Sequence, residues 1–297
     1  MDEIYPCYKM NYGPSATQSG EVPKSLLYFM RECEDYVAKL TLFKKYCIWR
    51  YTIGSASVNT YLITNTMSSN AIYWAYLFFK YWSNTAKYPV KNIPSKYKGF
   101  LPYFVNPDAF NRLGQDQQEG VAGLLIKTYA ITLQQIILAA PKVKLDGFHV
   151  YKISSRYPGL PESVTELPAA VEQFPFNSTT VTQYFNFAIF AKAESTCCLF
   201  DIYVPPGSVC LSVPSFYHAY PWEREVILPI GSIFEVRQIV NGMMNYIEPT
   251  TLNSQMIQPK GDISMGNVFL INEYSPCKGG QCVVQKKPMT IYQTVLA

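Results

Sequence analysis

Glu223 and Glu225 stand one residue apart and open the apolar run Val226-Ile227-Leu228-Pro229, which reads as a strand. Side chains on an extended chain alternate with period two, so both carboxylates project to one side. A carboxylate beside a glycosidic carbon stabilises the positive charge that grows as the leaving group departs. A second one nearby can take a proton from the incoming nucleophile. The triplet Glu223-Arg224-Glu225 by itself reads as a solvated charged turn. The apolar run after it, the Gly231-Ser232-Ile233-Phe234 stretch and an upstream hydroxyl strand, Ser178-Thr179-Thr180, turn that reading toward a site. Threonine runs are ordinary strand residues, so the hydroxyls carry weight only beside the glutamates. His149 and His218 have no nucleophile at a catalytic spacing and are not assigned to catalysis; His149 reads as capping or lining its strand.

The elements that must position these residues fall into two textures. From Pro23 the apolar residues Leu26, Phe29, Met30, Cys33, Val37 and Leu40 recur at helical spacing. Phe43–Thr52 and Ser57–Thr64 read as two helices parted by Gly54-Ser55, and Ile72–Trp82 as a further helix whose aromatic run also suits a buried strand. Ser83–Gln118 reads as a long connection, and Glu119–Ala140 as a helix that Pro141 ends. Beyond Pro141 come short β-branched and aromatic runs bounded by Gly and Pro. Strands are expected at Gly147–Ile153, Phe174–Thr179, Cys197–Val204, Val209–Val213, Glu225–Pro229, Ile233–Val240, Met243–Pro249 and Val268–Glu273, with a helix at Thr182–Ala193. Helices first and strands afterwards make an α+β order and argue against alternating βαβ units. The expected organisation is an extended arm over residues 1–20, a domain over 21–245 with a helical lobe (21–140) and a β core (141–245), and a C-terminal β extension over 246–297.

Composition bounds the partners. The chain has 297 residues, 48% of them hydrophobic, which is ample for a core. Its net charge of +4 is scattered, which disfavours nucleic acid, whose binders gather basic residues in a stripe. The first residues, Met1-Asp2-Glu3-Ile4, are acidic with no apolar run behind them, so no signal peptide and a cytoplasmic location are expected. The most apolar stretches, Ala71–Trp82 and Val121–Ala140, are interrupted by polar residues and read as core helices. Eight cysteines lack zinc-site spacing and read mainly as reduced thiols. Cys277 and Cys282 flank a Lys-Gly-Gly-Gln turn that suits a small disulfide, with free thiols favoured in a cytoplasmic chain.

Three segments of the β half, in order, resemble the mono-ADP-ribosyltransferase family of the Arg, Ser-Thr-Ser, Glu-x-Glu clade, in a diverged form. His149-Val150-Tyr151-Lys152-Ile153-Ser154-Ser155 is similar to the family strand ending in Tyr-Arg-Gly. Phe176-Asn177-Ser178-Thr179-Thr180 is similar to Phe-x-Ser-Thr-Ser, and Glu223–Val236 to Glu-x-Glu-Val-Leu-Leu-Pro-x-Gly-x-x-Phe-x-Val. Tyr51-Thr52 with Asn59 and Leu62 is a weaker match to the family's helices; the resemblance runs roughly from residue 40 to 240. It implies an α+β, ADP-ribosyltransferase-like fold, an N-terminal helical lobe followed by a two-sheet antiparallel β core. It also implies NAD as substrate, without a metal. Glu225 is then the catalytic carboxylate, Glu223 the aid to an arginine acceptor and Ser178 the residue that positions Glu225, while Tyr151, Thr179 and Thr180 belong to the NAD-binding set, the two threonines pinning their strand. For the NAD phosphates two cations compete, Lys152 at the position of the family arginine and Arg156 four residues on. Lysine lacks the planar fork of arginine, so the replacement is not conservative. The aromatic loop Phe216, Tyr217, Tyr220 and Trp222 lies where the family recognises its protein target, with core packing as an equal contender. Two functions remain open: a transferase that modifies a protein side chain and releases nicotinamide, or a silent member of the fold that serves as a binding or virion module. The Tyr- and Asn-rich texture fits a viral, toxin-like source.

Overall fold

The computed structural model describes residues 24–84, 90–144, 146–155, 160–161, 163–173, 175–181, 185–186, 197–214, 217–218, 224–248 and 283–297. The expected arm over residues 1–20, the strand Val268–Glu273, the Cys277–Cys282 turn and most of the helix expected at Thr182–Ala193 lie outside these residues.

The helical lobe forms as the apolar spacing requires. Helix α1 (Lys24–Ala38) buries Leu26, Phe29, Cys33 and Val37 on one face. Helix α2 (Leu42–Thr64) starts at Thr41, whose hydroxyl accepts from the Lys44 amide, and stops at Asn65 in the left-handed region with φ 51°. The two helices expected here are one element kinked at Gly54, which has non-helical φ/ψ of −150° and 33°. A Cβ at Gly54 would lie 2.5 Å from Cδ1 of Trp74, so the kink is where that indole packs. Helix α3 (Ser69–Asn84) carries Trp74, Phe78 and Trp82 into the core, which settles the aromatic run as helix. The expected long connection contains short helical pieces, including α4 (Leu101–Val105) and α5 (Asp108–Asn111). Helix α6 (Gln115–Leu138) runs through the middle of the lobe. Its Tyr129 hydroxyl donates to the Cys47 carbonyl at 2.8 Å, and the Tyr36 hydroxyl donates to its Ile136 carbonyl at 2.7 Å. Among the described residues α6 is the one helix long and apolar enough to cross a membrane, and it is mostly packed inside the protein.

Around Phe43 the rings interlock, with centroids 4.6 Å from Tyr97 and 5.0 Å from Trp82. Such edge and tilted contacts add to the area they bury. Among the described residues, many of the aromatic rings of the helical lobe pack into this core. The thiols Cys33, Cys47 and Cys210 are free and buried, and the buried Cys198 donates from Sγ to the Ser154 carbonyl at 3.4 Å.

The β half holds β1 (Phe148–Ser155), β2 (Ala169–Gln173), β3 (Asn177–Thr180), β4 (Phe185–Asn186), β5 (Cys197–Val204), β6 (Leu211–Ser212), β7 (Glu225–Leu228), β8 (Ser232–Glu248) and β9 (Val283–Leu296). The α+β order of a helical lobe followed by strands is as expected. The two antiparallel sheets implied by the resemblance appear as one hydrogen-bonded path, β2-β8-β9-β5-β1-β3-β7-β6, with β4 beside β8. Two pairings, β4 with β8 and β5 with β9, are parallel. The physical reason is β9, which joins the β8 side to the β5 side by pairing with both. The strands expected at Ile233–Val240 and Met243–Pro249 are the single long β8, which shifts register between Val236 and Gln238. The boundary expected at 245/246 falls within β8, and the C-terminal segment supplies an interior strand rather than an appendage. Where a helix was expected over Thr182–Ala193, Phe185–Asn186 is a short strand.

The link from β7 to β8 turns at Gly231, whose φ of 77° suits glycine. Gln134 of α6 brackets this turn: its Oε1 accepts from the Ile230 amide at 2.9 Å, and its Nε2 donates to the Ile230 carbonyl at 3.5 Å. The helical lobe thereby fixes the far end of the strand that begins at Glu225.

Candidate active site

Three neighbouring strands bring the sequence-predicted residues together. Strand β1 meets β3 with Tyr151 opposite Thr180, and β3 meets β7 with Thr180 opposite Glu225 and Ser178 opposite Ile227. Opposed residues in an antiparallel pair share a face, so Tyr151, Thr180, Ser178 and Glu225 stand on one face. The Ser178 hydroxyl donates to Oε1 of Glu225 across the diagonal of that ladder. Glu225 is only 2% exposed. Its backbone is held as well, because the Val213 amide donates to the Glu225 carbonyl at 2.9 Å. Just before it, Arg224 has φ 45°, an uncommon conformation for a residue with a side chain, and there the chain turns into β7.

Lys152 is brought elsewhere. It follows Tyr151 by one residue, so it points to the opposite face of β1 from Glu225. Its ammonium donates to Oδ1 of Asn177, which lies on that same opposite face of β3. Burial holds its pKa down, from 10.5 to about 8, with Cys198 acting weakly the other way. Thr179 also belongs to this face, and its hydroxyl donates to the Val226 carbonyl at 2.6 Å. Glu223, Arg156, Phe216, Tyr220 and Trp222 lie outside the described residues. Tyr217, from the same aromatic loop, is partly buried, with the Lys45 ammonium 5.4 Å from its ring centroid.

The helical lobe reaches the site through α2. Asn59 Nδ2 donates to the Phe176 carbonyl at 3.1 Å and to the Tyr51 hydroxyl at 3.3 Å, and the rings of Tyr51 and Phe176 meet edge-on at 5.6 Å. The Tyr51 phenol is pushed well up, first by burial and then by the negative charge of Glu225. These contacts set the α2 positions of the weaker sequence match against the end of β3.

One residue that sequence reasoning set aside belongs to the cluster. His218 is 1% exposed, and its Nε2 lies 2.8 Å from Oε2 of Glu225. A usable signal lay in the topology: β6 runs beside β7, with Ser212 opposite Val226, so the segment joining them leaves and returns at Glu225.

The molecule is an α+β protein whose mixed sheet buries a glutamate between a serine on the next strand and a histidine on the adjoining segment. No family model matches the sequence, and no curated protein matches it. Among solved structures the chain is similar to Plx2a, an ADP-ribosyltransferase toxin from Paenibacillus larvae, at 12% identity over 92% of this chain and 95% of that one, with a TM-score of 0.47. It is also similar to C3stau2 from S. aureus with NAD, at 14% identity over 92% and 95% and a TM-score of 0.44. A third similar structure is the Salmonella SpvB ATR domain, at 14% identity over 86% and 98% and a TM-score of 0.43.

Proposed function

We propose that this chain is an NAD-dependent mono-ADP-ribosyltransferase that transfers ADP-ribose to an arginine side chain of a protein. The observation that carries the reading is the Ser178–Glu225 contact: the hydroxyl strand and the glutamate strand, which resemble separate family motifs, are adjacent and in register. The bond between C1′ of the ribose and the nicotinamide nitrogen breaks, and its electron pair neutralises the departing ring. The carboxylate of Glu225 stabilises the oxocarbenium-like charge left at C1′, and the acceptor nitrogen forms the new bond and loses a proton to Glu223. Ser178 fixes the Glu225 carboxylate. Because Lys152 is directed to the other face, we assign the NAD phosphates to Arg156, whose guanidinium can grip them through two parallel hydrogen bonds. The protein acceptor is assigned to the aromatic residues Phe216, Tyr217, Tyr220 and Trp222.

Nicotinamide release from NAD by wild type and Glu225→Gln, with and without a cell extract as acceptor, tests this reading. Release by wild type and a loss of at least ~100-fold in the folded variant support it. Equal rates in the two proteins remove Glu225 from the chemistry. Release without protein labelling would assign water as the acceptor. A second reading, a silent member of the fold that works by binding, is favoured by the turning away of Lys152 from the Glu225 face. It predicts no release by folded wild type in either condition.

A further inference from the structure

Glu225 presents a physical problem that Ser178 alone does not solve. An ionised carboxylate removed from water is costly unless both of its oxygens find donors. Ser178 serves Oε1, and His218 serves Oε2 at 2.8 Å. The two side chains of the His218–Glu225 pair are 1% and 3% exposed, so bulk water does not reach either. An ionised carboxylate only accepts, which places the proton of this bond on Nε2 of His218.

We propose that His218 is a positioning residue of the transferase reaction, holding the plane of the Glu225 carboxylate toward C1′ of the ribose. The role rests on the reading of Glu225 as the catalytic carboxylate. Electrostatic stabilisation of a developing cation is effective when the charge is fixed before the reaction starts, and the outermost torsion of a glutamate is soft. Donors from two separate elements, one on each oxygen, remove that softness. The other groups around the pair do not replace His218. Ser178 occupies the opposite oxygen. Tyr51 of α2 feels the Glu225 charge while its hydroxyl accepts from Asn59. Lys45 lies over the neighbouring Tyr217 ring and donates to the Ala38 carbonyl at 2.8 Å. His218 acts through Glu225, with its Nε2 proton committed to the carboxylate.

The test compares His218→Leu, which removes the donor at similar bulk, with His218→Gln, which returns an N–H at similar reach. Nicotinamide release gives kcat and KM for NAD, and circular dichroism checks folding. Expected is a kcat lowered about 10- to 100-fold in His218→Leu with KM for NAD within about threefold, and recovery in His218→Gln to within about fivefold of wild type. If His218→Leu does not fold, His218→Asn, whose donor is withdrawn by one methylene, takes its place with the same expectation. An undiminished kcat in the donor-lacking variant overturns the role, and so does a His218→Gln that is as slow as that variant. The two failures separate cleanly: wild type without nicotinamide release ends the transferase reading and this role together. An active wild type, a dead Glu225→Gln and an unaffected His218→Leu end the His218 role alone.

Discussion

Two faces of the same three strands behave differently. On one stand Tyr151, Ser178, Thr180 and Glu225, and there a carboxylate is held by the Ser178 hydroxyl and the His218 imidazole. On the other stand Lys152, Asn177 and Thr179: the Lys152 ammonium donates to Asn177 Oδ1, Asn177 Nδ2 to the Pro175 carbonyl, and the Thr179 hydroxyl to the Val226 carbonyl of the next strand. Adjacent residues of β3, Ser178 and Thr179, both donate to β7, one to the Glu225 carboxylate and one to a carbonyl of the ladder. The difference teaches that a motif match by position does not say which side of a strand a residue serves, because one residue of offset changes the face.

Removing the Ser178 donor should give the largest separation between the faces. A hydrogen bond to a charged group contributes about 1.5–3 kcal/mol, so Ser178→Ala should lower kcat for nicotinamide release roughly 10- to 100-fold while the protein stays folded. Equal activity in Ser178→Ala and wild type would remove the chemical meaning of the Glu225 face. Thr179→Val is the matched control on the opposite face. It should cost about 1 kcal/mol in urea unfolding and leave kcat within about twofold. A large loss of activity with unchanged stability would mean that the faces had been read the wrong way round.

Lys152 supplies the smallest effect on turnover and a clear one on pH. Its folded-state pKa is lowered to about 8 from 10.5 by burial. Between those values the unfolded chain holds a proton that the folded chain does not, so this group opposes folding most below pH 8. Its opposition fades as pH rises toward 10.5. Chemical denaturation of wild type at several pH values, minus the same series for Lys152→Met, should show that upward slope, and nicotinamide release should stay within about threefold of wild type. A Lys152→Met protein with KM for NAD raised tenfold or more would put the lysine back at the phosphates.

Much of this arrangement was legible because it is local. Helix α6 follows from its apolar spacing and Pro141, and β1, β3 and β7 follow from short β-branched and hydroxyl runs between breakers. Glu225 and Ser178 were legible as a pair because each stands in a short run that resembles a separate family motif. The face of Lys152 was not legible, since it depends on the register at which Tyr151 meets Thr180. His218 was set aside because its partner was sought as a nucleophile at a fixed spacing, whereas the structure supplies a carboxylate through the pairing of β6 with β7. Strand β9 falls inside the expected C-terminal β extension, but no strand was placed over Val283–Leu296. In the sheet, Pro288 sits opposite Met243 within a continuous ladder. The kink at Gly54 was read as a boundary because glycine marks both, and only the packing of Trp74 distinguishes them.

Among the described strands β9 comes last in chain order, yet it lies between β5 and β8. On the ribosome, every earlier strand emerges before the one that zips those two together, and each presents an open edge while it waits. Long-range pairing of this kind slows folding and invites association with other chains. Synthesis therefore passes through a stage when the helical lobe can be compact while the sheet is still two unfinished pieces. A chaperone that shields strand edges would matter most in that interval.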